Sequence, residues 1–178
     1  AQRHLNSLCE IVKWPAELLV RDGLSMLIEG SNRHISPISL KSFEQKRFPI
    51  LNTGSGQAYL AWLKEPERRE LISAALATTS APQAFYADGE KTEQVFQTIR
   101  QTGYTLRDYD TPIEGTRLYS VPLLHQDGYP IAVLVLVTLR DVVSTVHFEE
   151  KLFPVLMQAA KEISRDFQKY SKFSTLLP

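Results

Sequence analysis

The longest unbroken apolar run in the chain, Ile131 to Val137, has seven residues and is rich in β-branched side chains. A membrane helix needs about 18 or more apolar residues, so this run reads instead as a buried strand. Gln126-Asp127-Gly128 stands just before it and Thr116 to Leu124 before that, the pattern of two strands joined by a tight turn. The other end of the chain repeats the pattern: Glu17 to Arg21, then Asp22-Gly23, then Leu24 to Glu29. Strands closed by short hairpins run antiparallel. A hairpin near each end with helical segments between them predicts an α+β fold, a largely antiparallel sheet flanked by helices.

The remaining segments fit that frame. Leu5, Leu8, Ile11 and Val12 recur at helical spacing, so the opening residues predict an amphipathic helix ending at Trp14-Pro15. Gly30-Ser31-Asn32 reads as a turn that closes the first hairpin strand, and Ile35 to Leu40 as a third extended piece that Pro37 demotes to an edge or an irregular strand. Asn52 or Thr53 can cap a helix running on through Leu63. A second helix is expected from Glu67 to Leu76 behind Pro66, a loop over Ala77 to Ala84, and a third helix through Val95, Phe96 and Ile99 stopping at Gly103. Tyr104 to Tyr109 reads as a further strand. The last helix carries Leu152, Val155, Leu156, Ala159, Ile163 and Phe167 on one stripe, with a kink or a start expected at Pro154.

At 178 residues and 20.2 kDa the chain suits one domain. Twenty basic and twenty acidic residues give zero net charge, against a nucleic-acid-binding surface in this stretch. The single cysteine, Cys9, excludes an internal disulfide framework and favours a reducing, cytoplasmic setting. Arg3, His4 and Glu10 interrupt any signal peptide, and the start at Ala1 rather than Met allows a piece of something longer.

Enzyme chemistry finds little support. His4, His34, His125 and His147 are scattered, Cys9 sits among apolar neighbours, and no paired Cys/His cluster completes a metal site. Asp108 and Asp110 lack a third polar group to set them as a catalytic pair. No catalytic residue, cofactor or metal is expected. The informative segment is Thr53-Gly54-Ser55-Gly56: a glycine-bearing turn into a helix presents backbone N–H groups and the positive end of the helix dipole, suited to a carboxylate or phosphate. Arg33, Arg47 and Arg107 can supply a cation, and the strands Leu118 to Leu124 and Ile131 to Val137 an apolar wall.

The stretch Arg47-Phe48-Pro49-Ile50-Leu51-Asn52-Thr53-Gly54-Ser55-Gly56-Gln57-Ala58-Tyr59-Leu60-Ala61 resembles the segment RLPLHATALGKALLA of IclR-type bacterial transcriptional regulators. Ile99-Arg100-Gln101-Thr102-Gly103-Tyr104, with Asp108, Asp110 and then Gly115-Thr116-Arg117, is similar to that family's R-x-x-GY…D-x-E…G-x-x-C stretch. Ser120-Val121-Pro122-Leu123, Gly128 and the strand from Ile131 are similar to its AAPVFD…G…AALSVS ending. Trp14-Pro15 and Asn32 to Ser39 resemble the branch that activates aromatic-acid catabolism.

The resemblance implies a GAF-like effector-binding domain over residues 1–178, with residues 1–14 as a linker helix. The family's DNA-binding winged helix-turn-helix is not in this chain. It implies a small carboxylic acid as effector, a homodimer or homotetramer, DNA contact only through the N-terminal domain, and no membrane. It places the acid group at Gly54, Ser55 and Gly56, puts Leu40 on the pocket wall, and gives Arg107 or Asp108 a polar ligand contact. Leu118, or Tyr119 in a register one residue off, stands where the family carries a pocket cysteine. Val135 and Val137 replace serines that contact small oxo-acids, which makes the wall more apolar and favours an aromatic or aliphatic body. A ligand-free dimerisation module and a GAF-like enzyme are the rival readings.

Overall fold

The computed structural model describes residues 1–38, 46–78, 85–86, 88–108, 111 and 113–174, with side chains through residue 169. Helix α1 (Gln2–Val12) leads into the hairpin β1 (Ala16–Asp22) and β2 (Ser25–Ser31), then β3 (Arg47–Pro49) and a single 3₁₀ turn (Ile50–Asn52). Helices α2 (Gly54–Leu60), α3 (Glu65–Thr78) and α4 (Gly89–Thr102) follow, then strands β4 (Thr105–Arg107), β5 (Thr116–Leu124) and β6 (Pro130–Leu139). The chain ends with α5 (Thr145–His147), a π-helical turn (Phe148–Leu152) and α6 (Phe153–Ser174). The six strands form one sheet in the order β3-β2-β1-β6-β5-β4, each neighbour antiparallel.

Strand β6 lies near the middle and is covered on both faces, which accounts for its unbroken apolar run. Ala132, Leu134 and Leu136 pack towards α1 and α6, together with Leu5, Leu8, Tyr119 and Leu156. Val133, Val135 and Val137 pack towards α2, where α3 and α4 add Ala75, Phe96 and Ile99. The expected α+β sheet with flanking helices is therefore present.

Several local expectations change. The turn between β1 and β2 is Gly23-Leu24 rather than Asp22-Gly23, because Asp22 pairs with Ser25. Gly23 takes φ +61, the positive value that the first loop position of a type II′ hairpin requires. Gly30 and Ser31 are not a turn but the end of β2, which carries a bulge: Leu18 pairs with Gly30, then Leu19 with Ile28. A Cβ on Gly30 would stand 3.0 Å from Leu5 Cδ1, so the missing side chain lets α1 lie close to the strand. Ile35 to Ile38 form turns and bends rather than a strand, and Ser39 and Leu40 lie outside the described residues. The short strand β3 carries no alternation long enough to read. Helix α3 runs two residues beyond its expected span at each end, and the expected strand from Tyr104 is reduced to Thr105–Arg107. Residues 79–84 of the expected loop, with Tyr109 and Asp110, lie outside the described residues. Pro154 has no amide to bond the carbonyl four residues earlier; the chain widens into the π turn just before it and continues straight into α6.

Polar contacts from Asn32 and from His4 help hold helix α1. Asn32, fully buried, accepts from the Ala16 N–H at 2.6 Å and donates its amide to the Leu5 carbonyl at 2.6 Å. His4 stands between Asp166 (2.9 Å) and Glu162 (3.3 Å) of α6, with Arg3 also on Asp166 at 3.0 Å. Replacing Asn32 by Ala strands the buried Ala16 N–H and is expected to lower unfolding stability by about 1–3 kcal/mol, read from the urea midpoint. The hydrogen bond from His4, with Arg3 beside it, holds the Asp166 carboxyl below its ordinary value of 3.8. Its contribution is thus present above the ordinary carboxylate range and lost as pH falls through the lowered native value. Asp166→Asn is expected to flatten this part of the acid limb in urea titrations run at descending pH.

Candidate functional site

Helix α2 begins where it does because of three adjoining residues. Thr53 Oγ1 caps it, accepting from the Gly56 N–H at 2.9 Å and from the Ser55 hydroxyl at 3.1 Å. A Cβ on Gly56 would stand 1.7 Å from the Ile50 carbonyl oxygen, so no other residue fits there. Gly54 is close to β4 and β5: its carbonyl accepts from Thr105 Oγ1 at 3.0 Å, and a Cβ on it would meet Ser120 Oγ at 3.5 Å. The cap engages the Gly56 amide. Among the described residues the Gly54 and Ser55 amides, the first two of α2, meet no acceptor.

Beneath α2 the sheet presents an ordered row. Residues directly opposed in an antiparallel ladder share a face. Pairings Ser31 with Glu17, Glu17 with Val135, Val135 with Ser120 and Ser120 with Thr105 carry one line across five strands. The parallel line beside it runs Val137, Leu118, Arg107. Val135, Val137, Ser120 and Glu17 are buried, and Leu118 is half-buried. The face is therefore apolar at its centre, hydroxylic at the α2 end and charged at the β1 end.

Tyr119 does not belong to it. It points to the opposite face and stacks on Phe148 with ring centroids 3.5 Å apart. Of the two residues considered for the cysteine position, Leu118 is the one on the α2 face. Arg107 donates from Nη1 to the Asn52 carbonyl, bracing the turn before α2. Asp108 pairs with Arg117 at 3.2 Å, and its carbonyl accepts from Arg140, so it ties the β4 end to β5 and β6. Leu40 lies outside the described residues. Arg47 pairs with Asp22 at the sheet margin, whereas Arg33 reaches Glu17 Oε1 at 2.5 Å.

Glu17, Ser120 and Thr105 are the members of this face that sequence reading did not single out. The usable signal was an acid inside the otherwise apolar Ala16-Glu17-Leu18-Leu19-Val20. Burial pushes the Glu17 carboxyl up from its ordinary range, and the Arg33 guanidinium opposes that shift.

Two grooves lie elsewhere. One of about 570 Å³ runs between α3 and α4 and includes Arg68, Glu93 and Phe96. The other, about 430 Å³, is bounded by Trp62, Arg100, Pro122 and Lys161. Of the ten residues expected at the ligand, the nine described ones line neither. Among the described residues no three His, Cys, Asp or Glu side chains gather as a metal site would require, and no helix is long and apolar enough to cross a membrane.

Comparison with known proteins gives a consistent answer. Residues 1–165 match the family described as bacterial transcriptional regulator IclR C-terminal. The chain is 32% identical over 123 residues to the HTH-type transcriptional regulator XynR of Escherichia coli (strain K12), a match covering 67% of this chain and 46% of that protein. The chain thus spans less than half the length of this relative. Its fold is similar to the inducer-binding domain of the Acinetobacter transcription factor PobR, a double mutant in complex with 3-hydroxybenzoic acid (TM-score 0.72, 21% identity, 92% of this chain and 95% of that one). It is also similar to the Thermotoga maritima IclR (TM-score 0.75, 22% identity, 92% and 65%).

The glycine positions make opposite predictions. Gly56→Ala drives a methyl into a backbone carbonyl and is expected to cost about 3 kcal/mol or more. Gly89→Ala, at the first position of α4 with nothing within 4 Å of the added methyl, is expected to be neutral or slightly stabilising. Urea unfolding of the two variants side by side checks both.

Proposed function

This chain belongs to the IclR C-terminal family of bacterial transcriptional regulators, and on that premise we propose that it is the part of such a regulator that senses a small carboxylic acid, with an aromatic body as the favoured class. The chemistry is reversible binding rather than turnover. The observation that carries this reading is the buried sheet face under α2, where Ser120, Val135, Leu118 and Glu17 set hydroxyl, apolar and charged groups side by side. The opposite face of the same strands is packed with apolar and aromatic side chains. A domain interior built only for stability has little use for such a mixed surface. The acid group sits at the Gly54 and Ser55 amides, and Val135, Val137 and Leu118 enclose the body.

A double mutant of the PobR inducer-binding domain, which shares this fold, forms a complex with 3-hydroxybenzoic acid, and this supports the aromatic class here. Binding switches the regulator only if it differs in strength between two arrangements of the whole protein. Helix α1, docked on α6 through His4 and on the sheet through Asn32, is the element placed to carry that difference to a DNA-binding domain. A homodimer or homotetramer in the cytoplasm completes the reading.

A thermal-shift screen against small carboxylic acids tests it, from glyoxylate and pyruvate to benzoates and phenylpropanoates. A ligand of the folded state stabilises by about 2.7 kcal/mol at a concentration near one hundred times its dissociation constant. Aromatic acids are expected to raise the melting temperature, and Ser55→Trp to abolish the rise. A rise with oxo-acids alone overturns the aromatic class, and no rise with any acid favours a ligand-free dimerisation module.

A further inference from the structure

Strand β5 runs past the end of its outer neighbour. Thr105, the first residue of β4, pairs with Ser120, and β5 continues through Val121, Pro122 and Leu123 to Leu124. The chain reaches β4 from α4 through the left-handed Gly103, so β4 offers no partner to this stretch. Main-chain groups of successive residues turn to opposite sides of a strand. The Val137 N–H turns towards β1, donating to the Pro15 carbonyl at 2.9 Å. Leu136, Leu134 and Ala132 therefore turn towards β5, and their partners Tyr119, Val121 and Leu123 turn back to β6. His125 turns to β6 as well, its N–H bonding the Tyr129 carbonyl at 2.8 Å. Pro122 and Leu124 are thus left directing their main-chain groups out of the open edge.

This edge lies in the groove of about 430 Å³, where Pro122 and Leu124 stand between Trp62 and Arg100 of one layer and α6 of the other. Helix α6 contributes one stripe, from Met157 to Gln168, about 16 Å long at the helical rise. An extended segment of about five residues spans that length. No acidic side chain lines the groove. Arg100 is engaged by Glu93 and the Ala61 carbonyl. Lys161 and Arg165, one helical turn apart and both exposed, have no acidic partner among the described residues.

We propose that this edge docks an extended, acidic segment of a partner protein, which adds a strand beside Leu124 and sets its carboxylates against Lys161 and Arg165. An open strand edge supplies main-chain hydrogen bonds to an extended segment, and the surfaces on either side of it select the side chains. Pro122 has no N–H to offer, which weakens pairing through the main chain alone. Recognition therefore depends on charge, favouring an acidic segment and rejecting a basic one. The proposal does not rest on the acid-sensing site, whose described residues do not line this groove.

The test titrates the whole chain, followed by amide-resolved NMR, with a blocked hexapeptide alternating valine and glutamate, with its lysine counterpart, and with decanoate. The two tryptophan indoles serve as reporters, since Trp62 lines the groove and Trp14 belongs to the core on the other side of the sheet. The glutamate peptide is expected to move the Trp62 indole and Leu124 amide signals, to slow hydrogen exchange at Leu124, and to leave Trp14 unmoved. The lysine peptide is expected to do none of this. Lys161→Glu with Arg165→Glu should weaken the glutamate peptide about tenfold and admit the lysine peptide. If that variant fails to fold, Lys161→Gln with Arg165→Gln is expected to weaken the glutamate peptide about threefold. Equal responses to the two peptides overturn the proposal, as do shifts without slowed exchange at Leu124. A groove that responds to decanoate but not to the glutamate peptide takes a small amphiphile instead, and no response to any of the three also overturns the docking role.

Discussion

The close approach of Gly56 to the Ile50 carbonyl is the contact on which the α2 side of the domain depends. A backbone oxygen occupies the space where any other residue would carry its Cβ, so the 3₁₀ turn folds back against the helix it precedes. That brings Thr53 into capping position and lowers Gly54 onto Thr105 and Ser120. Arg107 then holds the Asn52 carbonyl from the β4 side. A larger residue at Gly56 would push α2 off the sheet, and the hydroxyl-lined end of the buried face would lose its roof.

The sheet itself separates two kinds of interior. Along β5, Tyr119, Val121 and Leu123 face α1 and α6, while Leu118, Ser120 and Pro122 alternate with them towards the other face. The first set joins a dense aromatic cluster in which Tyr119 stacks on Phe148 of the π turn and Tyr104 meets Phe148 edge-on at 5.0 Å. Tyr104 also donates to Glu149 at 2.6 Å. Burial, with that hydrogen bond second, pushes its phenol well above the ordinary range, so it remains a neutral donor. The second set faces a region where polar groups have been retained in the interior. One strand thus connects a packed support, which also holds α6 and through it α1, to the surface proposed for the ligand.

Much of this was legible from local rules, since caps, hairpin turns and glycine stops act over three or four residues. Thr53 as cap, Gly103 at φ 82 ending α4, Pro66 at the start of α3 and the Thr116–Leu124 hairpin strand all stand where their neighbours predict. The π turn before Pro154 and the strand β3 were not legible. The first depends on how the widened turn meets the core, and the second on an edge that β2 offers to three residues.

The residue pattern alone determined the fold class, the start of α2 and the family resemblance, because these rest on periodicity and on residues with few permitted conformations. The tertiary structure decided which side chains share the buried face. From the tight turn at Gly23-Leu24, simple counting back along the hairpin sets Glu17 opposite Gly30. The bulge between Leu18 and Leu19 shifts the register so that Glu17 faces Ser31 instead. Arg33 then closes on Glu17 from just beyond the strand. A one-residue slip of this kind changes which side chains meet across the ladder, and the bulge lies next to Gly30, where Leu5 of α1 comes close to the strand. Leu118 and Tyr119 were separated in the same way, by the pairing of β5 with β6, which no stretch of sequence encodes by itself.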